Sequence, residues 1–394
     1  MAYSFVSPGL VISGPGSLDD LVLHLSGHGH SALLVAGRSA SRNGVTERVM
    51  KALEGLKIES HLYNGVTEEP TARMVEEGAE LFRSLGCDFL IAAGGGSQID
   101  AMKAIALVAT SGGSIQDYAA GEGSSGLTVS KPPFMVAVPT TAGTGSEATR
   151  FTIITDGETK RKIASDLLIP DLAVLDPELT LSMPERVTVS SGLDALTHAV
   201  EAYTSRKAQP LSDAYALSAV KRIFGNIARA ADTPGDLEAR TEMQLAALEA
   251  GVAFNNSSVT IVHGMSRPVG ALFHVPHGMS NAILLPSCLA FAESGAVRRF
   301  ADLGRAVGAA SSVTPDAKAA DRFVEAVRLL VMKLGVPSLE KYGIAKGDFI
   351  GKIDRMTEDA MTSGSPQLTA REVSADDVRM LYRNLWPEQI SMEG

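Results

Sequence analysis

The sequence predicts an α/β half followed by an all-α half, and three observations carry that reading. At 394 residues the chain is longer than one compact core usually needs, which favours two domains of unequal character with a cleft between them. Up to about residue 180, short β-branched runs alternate with helical patterns and turn signals, the mark of parallel α/β construction. From Met183 onward long helical patterns take over, with almost no strand-like alternation. The boundary falls between Leu175 and Pro184, giving domains of 1–182 and 183–394.

Strands are expected at Ser31–Ala36, Ile58–Tyr63, Asp88–Ala93, Phe134–Val138 and Leu172–Leu175. Apolar residues at helical spacing predict helices over Gly44–Leu56 and Thr71–Leu85. Asp156-Gly157 reads as a hairpin tip between Thr152–Thr155 and Lys162–Ala164. In the second half, helices are expected over Pro184–Ser205, Leu211–Ala231 and Leu237–Phe254. Pro184 suits a helix start, and Asp232-Thr-Pro-Gly235 separates two helices.

The formal net charge is −10 and no basic run appears, so nucleic acid is not an expected partner. The first residues lack a charged segment followed by an apolar one, and no apolar stretch approaches bilayer length; the expectation is a cytoplasmic protein with no membrane partner. Only Cys87 and Cys288 are present, which suggests neither a disulfide framework nor a cysteine metal site. Any metal must use His and carboxylate ligands.

Two glycine-rich turns carry the cofactor reading. Phe89-Leu-Ile-Ala-Ala93 runs into Gly94-Gly-Gly-Ser97 and then a helical pattern. Three glycines let backbone N–H groups approach a pyrophosphate closely, and the helix N-terminus adds partial positive charge. The motif is neither of the common phosphate-loop patterns, and glycines after a strand also serve as plain turn residues. The second turn, Pro139-Thr-Thr-Ala-Gly-Thr-Gly-Ser146, offers hydroxyl donors for phosphate or ribose, although such hydroxyls also close local turns. Lys162 is expected to point back toward the same site.

In the helical half, Asp194 and His198 lie four residues apart, on one face of a helix. His263 and His277 each precede a glycine, which permits close backbone packing. One carboxylate and three imidazoles suit iron or zinc and are wrong for calcium or magnesium. The competing reading is that these histidines are hydrogen-bonded structural residues, and His274 is read as structural or as a supporting neighbour.

Four ordered motifs, Gly94-Gly-Gly-Ser-Gln-Ile-Asp-Ala-Met-Lys103, Pro139-Thr-Thr-Ala-Gly-Thr-Gly-Ser-Glu147, Gly192-Leu-Asp-Ala-Leu-Thr-His198 and Pro276-His-Gly278, make the chain resemble the iron-containing (group III) alcohol dehydrogenases along essentially its whole length. The resemblance implies a Rossmann-like dinucleotide-binding α/β domain, a helical metal-binding domain of the dehydroquinate synthase-like plan, and a catalytic metal in the cleft between them. It also implies interconversion of a small alcohol with its aldehyde or ketone, Fe2+ or alternatively Zn2+, NAD(H) or NADP(H), and a homo-oligomer, a dimer or larger. Carried over by motif, Asp194, His198, His263 and His277 are the metal ligands. Gly94, Gly95, Gly96, Ser97, Asp100, Thr140, Thr141, Thr144 and Lys162 are cofactor contacts, and Phe151 and Phe254 line the substrate pocket. His277, Arg267 and Asp100 are the candidate catalytic residues.

Two departures from the family pattern stand out. Arg267 replaces a histidine that many members carry four residues after the metal-binding one; an arginine, always protonated, cannot serve as acid or base. It can instead grip a carboxylate, which points to a short hydroxy acid or semialdehyde, or else contact the cofactor pyrophosphate. The first strand ends in Ala36-Gly37-Arg38-Ser39 where NAD-preferring members commonly place an aspartate. Without that carboxylate, and with Arg38 and Ser39 available for a 2′-phosphate, NADPH is expected to be accepted and even preferred; the alternative is that Arg38 is a solvated turn residue. The rival functions are a metal-free maleylacetate-type reductase and a dehydroquinate synthase-like lyase. The four retained ligand-type residues weigh against the first, and Asp194 with the Thr140–Gly145 turn against the second.

Overall fold

The computed structural model describes residues 2–118, 130–157 and 159–386. Its strands are β1 (Leu10–Ser13), β2 (Ser31–Ala36), β3 (Glu59–Tyr63), β4 (Phe89–Gly94), β5 (Met135–Pro139), β6 (Phe151–Asp156), β7 (Thr159–Ala164) and β8 (Leu172–Leu175). The helices in the first half are α1 (Arg38–Arg42), α2 (Val45–Gly55), α3 (Ala72–Ser84) and α4 (Gly96–Ser111). Those that follow are α5 (Glu185–Thr204), α6 (Pro210–Asp232), α7 (Leu237–Ser257), α8 (Ile261–Phe273), α9 (His277–Ala292), α10 (Val297–Ala306), α11 (Asp316–Lys333), α12 (Lys346–Ile350), α13 (Ile353–Thr362) and α14 (Ala375–Asn384).

Six strands form one parallel sheet in the order β1-β8-β5-β4-β2-β3, and β6 with β7 forms a separate antiparallel hairpin. The sheet is buried on both faces, which explains why β2 and β4 read as unbroken apolar runs rather than alternating ones. Leu33, Val35, Leu90 and Ala92 pack with Val75 and Ala79 of α3 and Met102 of α4, while Ala32, Leu34, Phe89 and Ile91 pack with Val49 and Leu53 of α2. Thr71 caps α3, its side chain accepting from the Met74 N–H, as favoured at a helix start. The chain leaves β2 for β3 on one side and returns to β4 on the other. Strand order therefore reverses between β2 and β4, the place where open α/β sheets bind ligands outside the carboxyl ends of their strands.

The contacts divide the described residues into two compact units, one of residues 5–184 with 233–255 and the other of residues 2–4, 185–232 and 256–386. The segment 233–255, read from the sequence as part of the helical half, thus packs with the sheet-bearing residues. Its α7 backbone meets the second glycine turn so closely that a Cβ on Gly145 would lie 2.5 Å from the Gly251 Cα. Gln244 Nε2 donates to the Pro139 carbonyl at 3.2 Å, and Arg150 Nη2 to the Asn255 carbonyl at 2.9 Å. In the helical unit α5 packs against α6 and α9, and α8 against α9 and α13. From Gly192 to Thr204 nearly every residue of α5 is buried, so its polar side chains have to find partners inside the protein.

Candidate active site

Three loops meet at the carboxyl ends of β2, β4 and β5. Ala36 pairs with Ala93 across the sheet, which sets Gly37 beside the glycine turn; a Cβ on Gly37 would lie 2.9 Å from Gln98 Nε2. The Thr140 N–H donates to the Gly94 carbonyl at 2.8 Å, joining the second glycine turn to the first. Gln98 Oε1 accepts from the Gly95 N–H at 3.0 Å while its Nε2 donates to the Val66 carbonyl. Gly96 faces Thr144 so closely that any Cβ would sit 2.9 Å from the threonine methyl. Gly94, Gly95, Gly96, Ser97, Thr140, Thr141 and Thr144 are thus brought together, with Gly37, Arg38 and Ser39 beside them at the switch point and Arg38 and Ser39 exposed. Backbone amides at the start of α4 give this place the character of an anion site.

Beneath these loops lies a buried charged group that sequence reasoning missed. Lys103 Nζ donates to Ser146 Oγ at 3.2 Å, Thr149 Oγ1 at 3.0 Å and the Phe151 carbonyl at 2.9 Å, with Asp100 Oδ1 at 3.9 Å. Burial pulls the Lys103 ammonium down to about 8 and pushes the Glu147 carboxyl up to about 7. Both oxygens of Asp100 have protein partners, one accepting from Ser146 Oγ and the other from the Ile153 N–H at 3.0 Å. The one signal available in the sequence was a Lys three residues after Asp100 inside an otherwise apolar helix. On the adjoining hairpin, Lys162 Nζ lies 3.8 Å from the Phe151 ring centroid, and the Phe151 and Phe254 rings stack 6.4 Å apart.

The helical unit gathers the four predicted ligand residues. Asp194 and His198 stand one turn apart on α5, His263 lies on the first turn of α8, and His277 opens α9. One donor atom from each lies within 4.8 Å of all the others. Asp194 Oδ1 is 3.9 Å from His198 Nε2, 3.7 Å from His263 Nε2 and 3.7 Å from His277 Nε2. Gly278 makes the approach of α9 to α5 feasible, because a Cβ there would lie 2.3 Å from the Ser190 carbonyl oxygen. His274 stays outside the group, exposed at the left-handed end of α8 with φ +54. Arg267, one turn beyond His263, donates from Nη1 to Ser365 Oγ at 3.2 Å and has no carboxylate within ion-pair distance among the described residues.

Two further polar residues surround the cluster. Asn281 Nδ2 donates to Asp194 Oδ1 at 2.7 Å and lies 3.1 Å from His263 Nε2 and 3.3 Å from His277 Nε2. Glu201, fully buried on α5, receives His263 Nδ1 at 2.5 Å on one oxygen; the other accepts from Thr260 Oγ1 at 2.8 Å and the Val262 N–H at 2.6 Å. Burial pushes both Asp194 and Glu201 up to about 7, and among the described residues neither has a Lys or Arg within ion-pair distance. Two buried carboxylates and three imidazoles, with no side-chain cation paired to them, make a donor set that fits a divalent ion of the iron or zinc kind.

A parallel sheet with phosphate-type loops at its switch point, and a helical unit with a cluster of three histidines and one aspartate, define the class of metal-dependent dinucleotide enzymes. Residues 8–177 match the family model described as iron-containing alcohol dehydrogenase, and residues 188–386 the model described as Fe-containing alcohol dehydrogenase family, C-terminal. The NAD-dependent methanol dehydrogenase of Bacillus methanolicus is 34% identical, covering 98% of this chain and 100% of its own. The NADPH-dependent butanol dehydrogenase of Clostridium saccharobutylicum is 34% identical over 96% of each chain. A crystal structure of 1,3-propanediol oxidoreductase superposes with a TM-score of 0.93 at 32% identity, covering 98% of this chain and 100% of that one. The chain belongs to the iron-containing alcohol dehydrogenase family. It is an oxidoreductase acting between alcohols and their carbonyl counterparts, with iron and NAD(P) as cofactors. No helix of the described residues is long and apolar enough to cross a membrane.

Proposed function

We propose that Asp194, His198, His263 and His277 hold the metal, that residues 1–182 act as the dinucleotide-binding domain with α7 packed onto it, and that residues 183–394 bind metal and substrate. The observation that carries this reading is the convergence of four donor atoms from three helices within 4.8 Å. When bound, the ion supplies Lewis acidity toward the substrate oxygen. The backbone amides of Gly94, Gly95, Gly96 and Ser97 bind the pyrophosphate, and Thr140, Thr141 and Thr144 add hydroxyl donors. Asp100 serves the same site by holding Ser146 and the start of β6, and Phe151, Phe254 and Lys162 form the wall beside the nicotinamide and the substrate. Arg38 and Ser39 take the 2′-phosphate of NADPH, since no acidic residue follows Ala36 to repel it. His277, the most exposed of the four ligands, is the one nearest to solvent traffic. The working protein is a cytoplasmic homo-oligomer, a dimer or larger, with no nucleic-acid partner.

Arg267 narrows the substrate class. A partly buried guanidinium whose one side-chain partner among the described residues is a neutral serine hydroxyl can hold a carboxylate through two parallel hydrogen bonds, which favours a short hydroxy acid or semialdehyde. The test is NADPH and NADH oxidation by metal-reconstituted protein on neutral and carboxylated aldehydes, with Arg267→Ala in parallel. NADPH is expected to be at least as effective as NADH, and Arg267→Ala to lower kcat/KM by about ten- to a hundredfold on carboxylated aldehydes alone. An equal loss on both aldehyde classes would sink the substrate assignment.

A further inference from the structure

We infer that Glu201 is a positioning residue of the metal centre, which fixes His263 in the one tautomer able to ligate and locks the start of α8 to the helix that carries Asp194 and His198. The inference rests on the metal reading above. Its two carboxylate oxygens do separate jobs. Oε1 accepts from Thr260 Oγ1, the Val262 N–H and, at 3.4 Å, the His263 N–H, satisfying backbone donors that every helix start leaves open. Oε2 faces His263 Nδ1 at 2.5 Å.

In its ionised form the Glu201 carboxylate only accepts, and opposite that form Nδ1 carries the proton and Nε2 is left bare. An independent contact fits the same tautomer. The Asn281 amide must donate through Nδ2, because the atom 2.7 Å from it is a carboxylate oxygen of Asp194. Its second hydrogen faces His263 Nε2 at 3.1 Å and His277 Nε2 at 3.3 Å, and a donor at the shorter distance matches a bare, accepting His263 Nε2. Glu201 and Asn281 approach the ring from opposite nitrogens and agree. The bare Nε2 is also the atom 3.7 Å from Asp194 Oδ1, on the ligand side of the cluster. A carboxylate behind a metal-binding imidazole raises ligand basicity and fixes ring orientation, and losing such a partner typically costs tenfold to a hundredfold in metal affinity.

Glu201→Gln separates the two jobs. A glutamine can keep its carbonyl on Thr260, Val262 and His263 N–H, but its NH2 then faces Nδ1 as a donor and forces the proton onto Nε2. Zinc and cobalt(II) affinities of purified protein, measured by competition with a chelator, are expected to fall about tenfold to a hundredfold in Glu201→Gln. The visible cobalt spectrum should change as one imidazole ligand weakens, while the metal-free thermal midpoint stays near wild type. Wild-type affinity together with an unchanged cobalt spectrum in Glu201→Gln would reduce the residue to a helix cap and overturn the inference. Should that variant not fold, nitrogen-15 histidine spectra of zinc-loaded wild type decide it: a strongly hydrogen-bonded Nδ1–H on His263 supports the inference, and a bare Nδ1 overturns it. A wild type that binds neither metal removes the metal reading itself, an outcome distinct from wild-type binding that Glu201→Gln leaves intact.

Discussion

Both units bury carboxylates, but they neutralise them differently. Under the nucleotide loops, Asp100 and Glu147 share the interior with Lys103, whose ammonium reaches Ser146, Thr149 and the Phe151 carbonyl. In the helical unit, Asp194 and Glu201 are surrounded by imidazoles and an amide, with no Lys or Arg among the described residues paired to either. Burying an unpaired charge is costly; the first group finds its cation within the chain, while the donor set of the second fits an ion from outside. The difference lies in the cation and not in the number of acidic residues, which is two in each group.

The largest expected effect breaks the helical cluster. Asp194→Ala should abolish stoichiometric metal binding and lower kcat/KM by roughly a thousandfold or more, because a metal's contribution of several kcal/mol is lost at about tenfold per 1.4 kcal/mol. Retained activity in Asp194→Ala would end the contrast. In the α/β unit the corresponding break is structural. Lys103→Met leaves two buried carboxylates without their cation and should lower stability by about 3 kcal/mol in urea melts at neutral pH, whether or not metal is present.

The packing of α7 on the second glycine turn gives a third test. Gly145 has φ +62 and faces Gly251 backbone at a Cβ distance of 2.5 Å. Gly145→Ala should therefore cost about 2 to 3 kcal/mol from strain and overpacking together, read as a fall in Tm, and a neutral effect would contradict the close packing. The smallest effect sharpens the charge comparison. Because the folded Lys103 titrates near 8 and the ordinary lysine value is 10.5, the folded chain binds fewer protons than the unfolded one between those limits. Stability contributed by Lys103 must then rise with pH across that window. The stability gap between wild type and Lys103→Met should widen between about pH 8 and pH 10 by roughly 1 to 2 kcal/mol, and a constant gap would show that Lys103 titrates normally.

Much of the fold could be read from residues alone because the sheet is doubly covered. The five expected strands lie within a residue of β2, β3, β4, β5 and β8, and the expected long helices match α5, α6 and α7 closely. The edge strand β1 escaped because Leu10, Val11 and Ser13 are exposed and show no buried-strand pattern. That α7 packs with the sheet-bearing residues escaped for another reason: helical periodicity shows which face is apolar but not which partner covers it. Of the candidate site, the glycine turns after β4 and β5 and the one-turn spacing of Asp194 and His198 on α5 were visible in the sequence, while their roles came from the family resemblance. Glu201 was not, although it continues their stripe on α5, because a glutamate within a helix most often marks a solvated face. The N–H groups at the start of α8, itself remote in sequence, together with Thr260 Oγ1 and His263 Nδ1, turn it into a buried acceptor. Asn281 likewise acquires meaning only when α9 brings it against Asp194.

The most direct measurement is anomalous X-ray scattering from crystals of iron- or zinc-loaded protein, collected on both sides of the metal absorption edge. One peak about 2.0 to 2.2 Å from Asp194 Oδ1 and from the Nε2 atoms of His198, His263 and His277 is the expected result. A fully loaded crystal whose only peak lies away from those four side chains would contradict the account.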